Sequence, residues 1–170
     1  MNEIWAGLLA AFHLIVTLDG DLVEITLRSL QVSLSALAIA SVLALPFGTW
    51  LAIRRFRFRR ATIATLNALM GLPPVVVGLI VYLLLSRSGP FGVLGLLFTP
   101  TAMIIAQVII ITPLIASITH QAMRELWAEY HDLLISLNTN NRQRVLTLIW
   151  DGRRALLTGA LAGFGRAIGE

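Results

Sequence analysis

Long apolar stretches separated by short polar, arginine-bearing connections set the pattern of this chain. Leu34 to Ile53 holds twenty residues without a charge, enough for a helix to cross the ~30 Å hydrocarbon core of a bilayer. A second stretch covers 62–85 and a third 101–119. Their apolar residues come in runs rather than on one face, which predicts membrane spans rather than surface helices of a soluble domain. Another apolar run starts at Ala155 and meets Arg166 too early to cross a bilayer on its own. At the other end Ile4 to Thr17 is apolar apart from His13 and stops at the turn Leu18-Asp19-Gly20-Asp21. It is short for a span and reads as an interfacial helix anchored by Trp5, with a short spanning helix as the alternative.

The spans carry their own interruptions. Pro46 should loosen the first near its end, and Gly48 beside it permits close packing. The centre of the second is Gly71-Leu72-Pro73-Pro74-Val75-Val76-Val77-Gly78. Two consecutive prolines remove two backbone donors, so a break or kink is expected there. Non-helical backbone at membrane depth survives only inside protein or beside a water-filled cavity, which makes Pro73, Pro74 and Gly78 candidates for lining a pathway. A kink that serves packing alone is the competing reading. Gln107 is the strongly polar side chain in the middle of the third span, either glue between helices or a pathway group. Pro113 predicts a second kink, and Thr99 and Pro100 can cap and open the third span.

Composition agrees with a membrane protein: 57% of the 170 residues are hydrophobic and 13% charged. All thirteen basic residues are arginine, and the formal charge is +4, but their placement matters more than the sum. Arg54-Arg55-Phe56-Arg57-Phe58-Arg59-Arg60 follows the first span directly. Such a cluster marks the cytoplasmic side, and contact with anionic lipid can coexist with that role. Partnership with nucleic acid is not needed to explain it. With Arg87 alone on the connection Ser86 to Phe98, that loop is expected outside, and the loop after the third span inside again. The chain has no cysteine and three histidines. A Gly-rich phosphate loop, a metal-spaced ligand set and a nucleophile–base pair are all missing from the sequence, so no catalysis, cofactor or metal is expected.

The segment Ala122 to Asp151 is a polar interruption between two apolar stretches, and a loop of that length usually has a function. Leu126, Tyr130, Leu133, Leu134 and Leu137 recur at helical spacing, with Glu125, Glu129 and Asp132 on the other side. Asn138 tolerates the left-handed backbone that ends a helix, and Arg142 begins a second helical stretch through Val145, Leu148 and Ile149. The loop therefore reads helix, break, helix. In this it resembles the coupling loop of binding-protein-dependent ABC importer permeases. Asp132-Leu133-Leu134 falls on the family's acidic-Ala-Ala triplet, Asn138 on its Gly, Leu148 on its Ile, Trp150 on its Leu and Asp151 on its Pro. Asp keeps the charge, Asn is the next-best left-handed residue, and Asp151 can N-cap a following helix where Pro would open it. The two leucines put bulk where the family has small residues.

The stretch Leu72-Pro73-Pro74-Val75-Val76-Val77-Gly78, with Ser86-Arg87-Ser88-Gly89-Pro90 and Phe98-Thr99-Pro100, is similar to the oxyanion-importer permeases and most similar to their tungstate branch. That resemblance, over roughly 22–170, implies an all-α polytopic transmembrane bundle in a prokaryotic cytoplasmic membrane. It implies a transport subunit powered by a separate ABC ATPase and served by an extracytoplasmic substrate-binding protein, with a second permease copy. The coupling residues would be Asp132, Leu133, Leu134, Asn138 and Leu148; the pathway residues would be Pro73, Pro74, Gly78 and Gln107. In the family, membrane sequence continues beyond the segment matching 163–170, so the chain is expected to be truncated in or after the fourth span. Molybdate, sulfate or another small solute is an alternative cargo. A non-transporting membrane scaffold and a small independent channel are the rival functions.

Overall fold

In a computed structural model of the protein, the described residues are Trp5, Thr17 and 20–169. The remainder of the interfacial helix expected over 4–17 lies outside them. The described chain forms six α-helices: α1 (Gly20–Ile53), α2 (Arg59–Met70), α3 (Pro74–Leu85), α4 (Pro100–Ser136), α5 (Asn141–Asp151) and α6 (Arg153–Gly169), with a short 3-10 turn at Gly92–Leu94. Helices α1 and α4 are long and apolar enough to cross a membrane, and α2 with α3 makes a third such element if the bent pair is one span.

The hub is α4, which packs against each of the other five helices. Its main partner is α1, whose buried positions Ala36, Ala40, Ala44 and Gly48 recur every four residues and form a narrow stripe of small side chains. Without large side chains between them two helices approach closely, which replaces the hydrophobic drive that lipid does not supply. At Gly48 a Cβ would stand 2.6 Å from the Ala116 carbonyl oxygen and 2.8 Å from Thr119 Cβ, so the contact requires glycine. Ala52 meets Met123 in one buried cluster, and Arg28 lines the same hollow as Pro100. The two helices consequently run parallel. Helix α6 returns antiparallel: Leu156 packs near Met123, Gly163 sits against Ile115, and Ala167 is level with Ser33 and Gln107.

Neither Pro46 nor Pro113 ends its helix. A single proline removes one donor, and packing against neighbours holds the rest of the helix in place. Helix α2 buries no residue of its own. Polar ties hold it to α4: the Ser117 hydroxyl donates to Asn67 Oδ1 at 2.9 Å, and Arg59 Nη2 lies 3.2 Å from His120 Nε2. A guanidinium can only donate, so Nε2 accepts and the ring proton belongs on Nδ1. Arg59 Nε also donates to the Leu51 carbonyl at 3.0 Å. At the start of α4, Pro100 opens the helix as expected, but the Thr99 hydroxyl donates to Leu96 O at 2.6 Å and caps nothing. The Thr99 carbonyl still receives the first turn's N–H groups from Ala102 and Met103.

Candidate functional site: a broken span and a capped turn

The double proline breaks the second apolar stretch into α2 and α3, which meet at 99°. Gly71 and Leu72 fold their N–H groups back onto Ala68 and Leu69 at 3.1 and 3.2 Å. Pro73 is extended, and Pro74 is the first residue of α3. Because Pro74 has no N–H, the Met70 carbonyl loses the donor that a continuing helix would supply. Arg166 of α6 replaces it: Nη1 donates to Met70 O at 3.1 Å and Nη2 to Leu72 O at 3.3 Å. One guanidinium fork thus satisfies both carbonyls flanking Gly71, a geometry suited to arginine and not to lysine.

The next residue along α6 extends this junction. The Ala167 carbonyl accepts from Gln107 Nε2 at 3.1 Å and from Ser33 Oγ at 3.5 Å, while Gln107 Nε2 reaches Ser33 Oγ at 3.4 Å. Gln107 therefore ties α1, α4 and α6 at one level. Arg166 binds the carbonyls of Met70 and Leu72, just before Pro73 and Pro74, and the adjacent Ala167 binds Gln107, so consecutive residues of α6 meet the break and the polar side chain of the third span. Gly78 stands apart, exposed on α3, and a Cβ added there would meet nothing within 4 Å. Sequence reasoning treats Arg166 as an interruption of the fourth span. An arginine at membrane depth is itself a signal of a buried polar partner, and that signal could have found it.

The second feature is the turn between α4 and α5. The expected separate helix after the third span is the continuation of α4 to Ser136, and the break falls at Asn138, whose φ is +50°. Thr139 N–H donates to Leu134 O at 3.2 Å and Asn138 N–H to Ile135 O at 2.9 Å. This is the paired pattern of a Schellman cap, in which a left-handed residue lets the chain turn back over the last helical carbonyls. The Thr139 hydroxyl adds a 2.6 Å bond to the same Leu134 carbonyl and accepts from Arg144 Nε at 3.2 Å. Helix α5 starts at once. Asn140 Oδ1 accepts from Gln143 N–H, and Gln143 Oε1 accepts from Asn140 N–H, both at 2.9 Å, a capping box that a helix start placed at Arg142 overlooks. Asp151 is the last residue of α5 and does not cap α6. Gly152 alone joins the two helices, buried against Met123 and Leu126.

The five residues expected to couple, Asp132, Leu133, Leu134, Asn138 and Leu148, divide by burial. Leu134 and Leu148 are 5% and 0% exposed, and Leu148 packs into the cluster of Ala52, Met123 and Leu156. Asp132 and Asn138 are exposed, and Leu133 is 54% exposed. Asp132 Oδ1 lies 2.8 Å from His131 Nδ1. Around the turn Ile135, Leu137, Leu146 and Trp150 are exposed as well. Of these only Leu137 belongs to the leucine stripe read from the sequence; Trp150 is the residue aligned with a Leu of the motif.

Residues 44–170 match the family described as "Binding-protein-dependent transport system inner membrane component". The chain is 36% identical over its whole length to the tungstate uptake system permease protein TupB of Peptoclostridium acidaminophilum, spanning 75% of that relative. It is 38% identical over 149 residues, 88% of the chain and 64% of the relative, to a probable anion ABC transporter permease protein of Haloferax volcanii. It is 28% identical over its whole length to TupB of Campylobacter jejuni, spanning 71% of that protein. Together with the multi-pass helical architecture, these matches show that the chain belongs to the binding-protein-dependent family of inner-membrane ABC transport permeases.

Proposed function

We propose that this chain is the permease subunit of an ATP-driven importer that takes up an oxyanion, with tungstate as the cargo. The observation that carries the cargo is its end-to-end similarity to a tungstate uptake permease at 36% identity. The anion transporter permease of Haloferax volcanii, at 38% identity, keeps molybdate, sulfate or another small anion as the second reading. Two copies of the chain form the translocation pathway, a binding protein delivers the anion from outside, and a separate ATPase drives the cycle. The Arg54 to Arg60 loop and the α4–α5 turn face the cytoplasm, in accord with the arginine asymmetry of the connections.

In this reading the α4–α5 turn docks on the ATPase through its exposed residues Asp132, Leu133 and Asn138. Buried Leu134 and Leu148 hold the turn in shape from beneath. The break at Pro73 and Pro74, closed by Arg166, lies beside the pathway, since irregular backbone at membrane depth needs protein or water around it. The test is tungsten accumulation, measured by mass spectrometry of whole cells that lack their own tungstate and molybdate importers. Cells given this permease with its ATPase and binding protein should accumulate tungsten in the presence of excess sulfate. Uptake of sulfate without tungsten would overturn the cargo, and no anion uptake in a fully assembled complex would overturn the transport reading.

A further inference from the structure

Three hollows of about 350, 440 and 320 Å³ adjoin at the end of the bundle where α1 stops and α4 leaves the apolar region. The first two share Ile53, Arg55, Trp127 and His131, and the last two share Ile53, Arg54 and Asn141, so they form one cleft. Six of the thirteen arginines line it: Arg54, Arg55, Arg59, Arg124, Arg142 and Arg144. Among the described residues none of the six is ion-paired with a carboxylate. The acid on the cleft wall, Asp132, is engaged with His131.

Two of these arginines are held in place by neutral groups. Arg59 is fixed by His120 and the Leu51 carbonyl, and Arg144 by the Thr139 hydroxyl and the face of Trp127, 5.9 Å from its centroid. Their orientation is therefore set while their charge is not neutralised. Gathering like charges without counter-charges raises the local potential and favours an anion that can bridge them. Guanidinium forks match phosphate oxygens.

A second observation places the cleft at headgroup level. On its α1 side Phe47 stacks on Trp50 at 6.1 Å and Trp50 packs on Phe56 at 5.2 Å, and Trp50 also lines the cleft beside Arg54. Tryptophan rings of this kind settle at the membrane–water boundary. We propose that the cleft binds the phosphate headgroup of an acidic phospholipid, with the acyl chains lying along the aromatic cluster. Basic pockets between membrane helices take such headgroups, and the attraction accumulates with each arginine near the surface.

The test compares the purified full-length protein in nanodiscs of phosphatidylglycerol and of phosphatidylcholine, with retained lipid read by native mass spectrometry after extraction. The protein should retain phosphatidylglycerol in preference. The double variant Arg55→Gln/Arg124→Gln should weaken that preference by about thirtyfold. Arg28→Gln, at the far end and paired with Glu24 at 2.7 Å, should leave it unchanged. Equal retention of both lipids by the unmodified protein would overturn the proposal without reference to any variant. So would saturation of the cleft by inorganic phosphate alone, which would make it a site for a soluble anion. Loss of ATPase association in the double variant with unchanged lipid preference would also overturn it, assigning the arginines to protein docking.

Discussion

Arg166 makes two bonds, at 3.1 and 3.3 Å, to carbonyls that lie on another helix and its end, and its contribution follows from what its removal would leave behind. Arg166→Leu leaves Met70 O and Leu72 O without these donors, and a hydrogen bond to a charged donor contributes roughly 1.5–3 kcal/mol. The variant should be less stable by about 2–4 kcal/mol, read as a lower midpoint of thermal unfolding in detergent. Arg166→Lys should recover only part, because an ammonium cannot present the planar fork. Unchanged stability of Arg166→Leu would show that water serves these carbonyls. Gly48→Val should cost roughly 1–3 kcal/mol by overpacking, since even a Cβ there collides with Ala116 O. Gly48 was legible in the sequence because a small residue inside a span has few other uses. The clamp was not, because the bond from Arg166 to Leu72 crosses 94 positions of sequence and has no local period.

At the scale of the element, the sequence revealed the break at Pro73 and Pro74 and the turn at Asn138, because both depend on backbone chemistry that a residue type carries with it. It misplaced the end of α4. Hydropathy falls after Thr119, but Ala122 to Ser136 contains no glycine or proline, so the helix runs on into polar surroundings. Hydropathy marks a change of solvent, whereas caps mark the end of a helix. The start of α5 shows the same rule from the other side, since the capping box of Asn140 and Gln143 sets it. Asn140→Ala should destabilise α5 by about 1 kcal/mol, seen as faster amide exchange in the first turn of α5 with α1 unaffected. Equal exchange in parent and variant would mean that packing of Leu148, and not the cap, holds the helix.

For the whole molecule, the parallel run of α1 and α4 brings the Arg54 to Arg60 loop and the start of α5 to one end, where Arg54, Arg55, Asn141 and Arg144 line a common cleft. The all-α membrane class was legible from the apolar runs, and arginine placement supplies the proposed side assignment. A cysteine placed at Ser88 should react with an impermeant reagent from outside the cell, and one at Arg57 only after the membrane is opened, in a chain with no other cysteine. Reaction of both from the same side would refute the proposed topology. In the proposed transport cycle the α4–α5 turn passes the work of a separate ATPase to the membrane helices. This role is tested most directly by ATP-driven anion uptake in proteoliposomes containing the assembled complex with Asn138→Gly or Asn138→Val. Glycine reaches φ near +50° without strain, whereas a β-branched residue strongly resists it. Asn138→Gly should transport like the parent, and Asn138→Val should lose most of its uptake while the permease remains folded. Parental uptake by Asn138→Val in a complex that assembles normally would contradict the account.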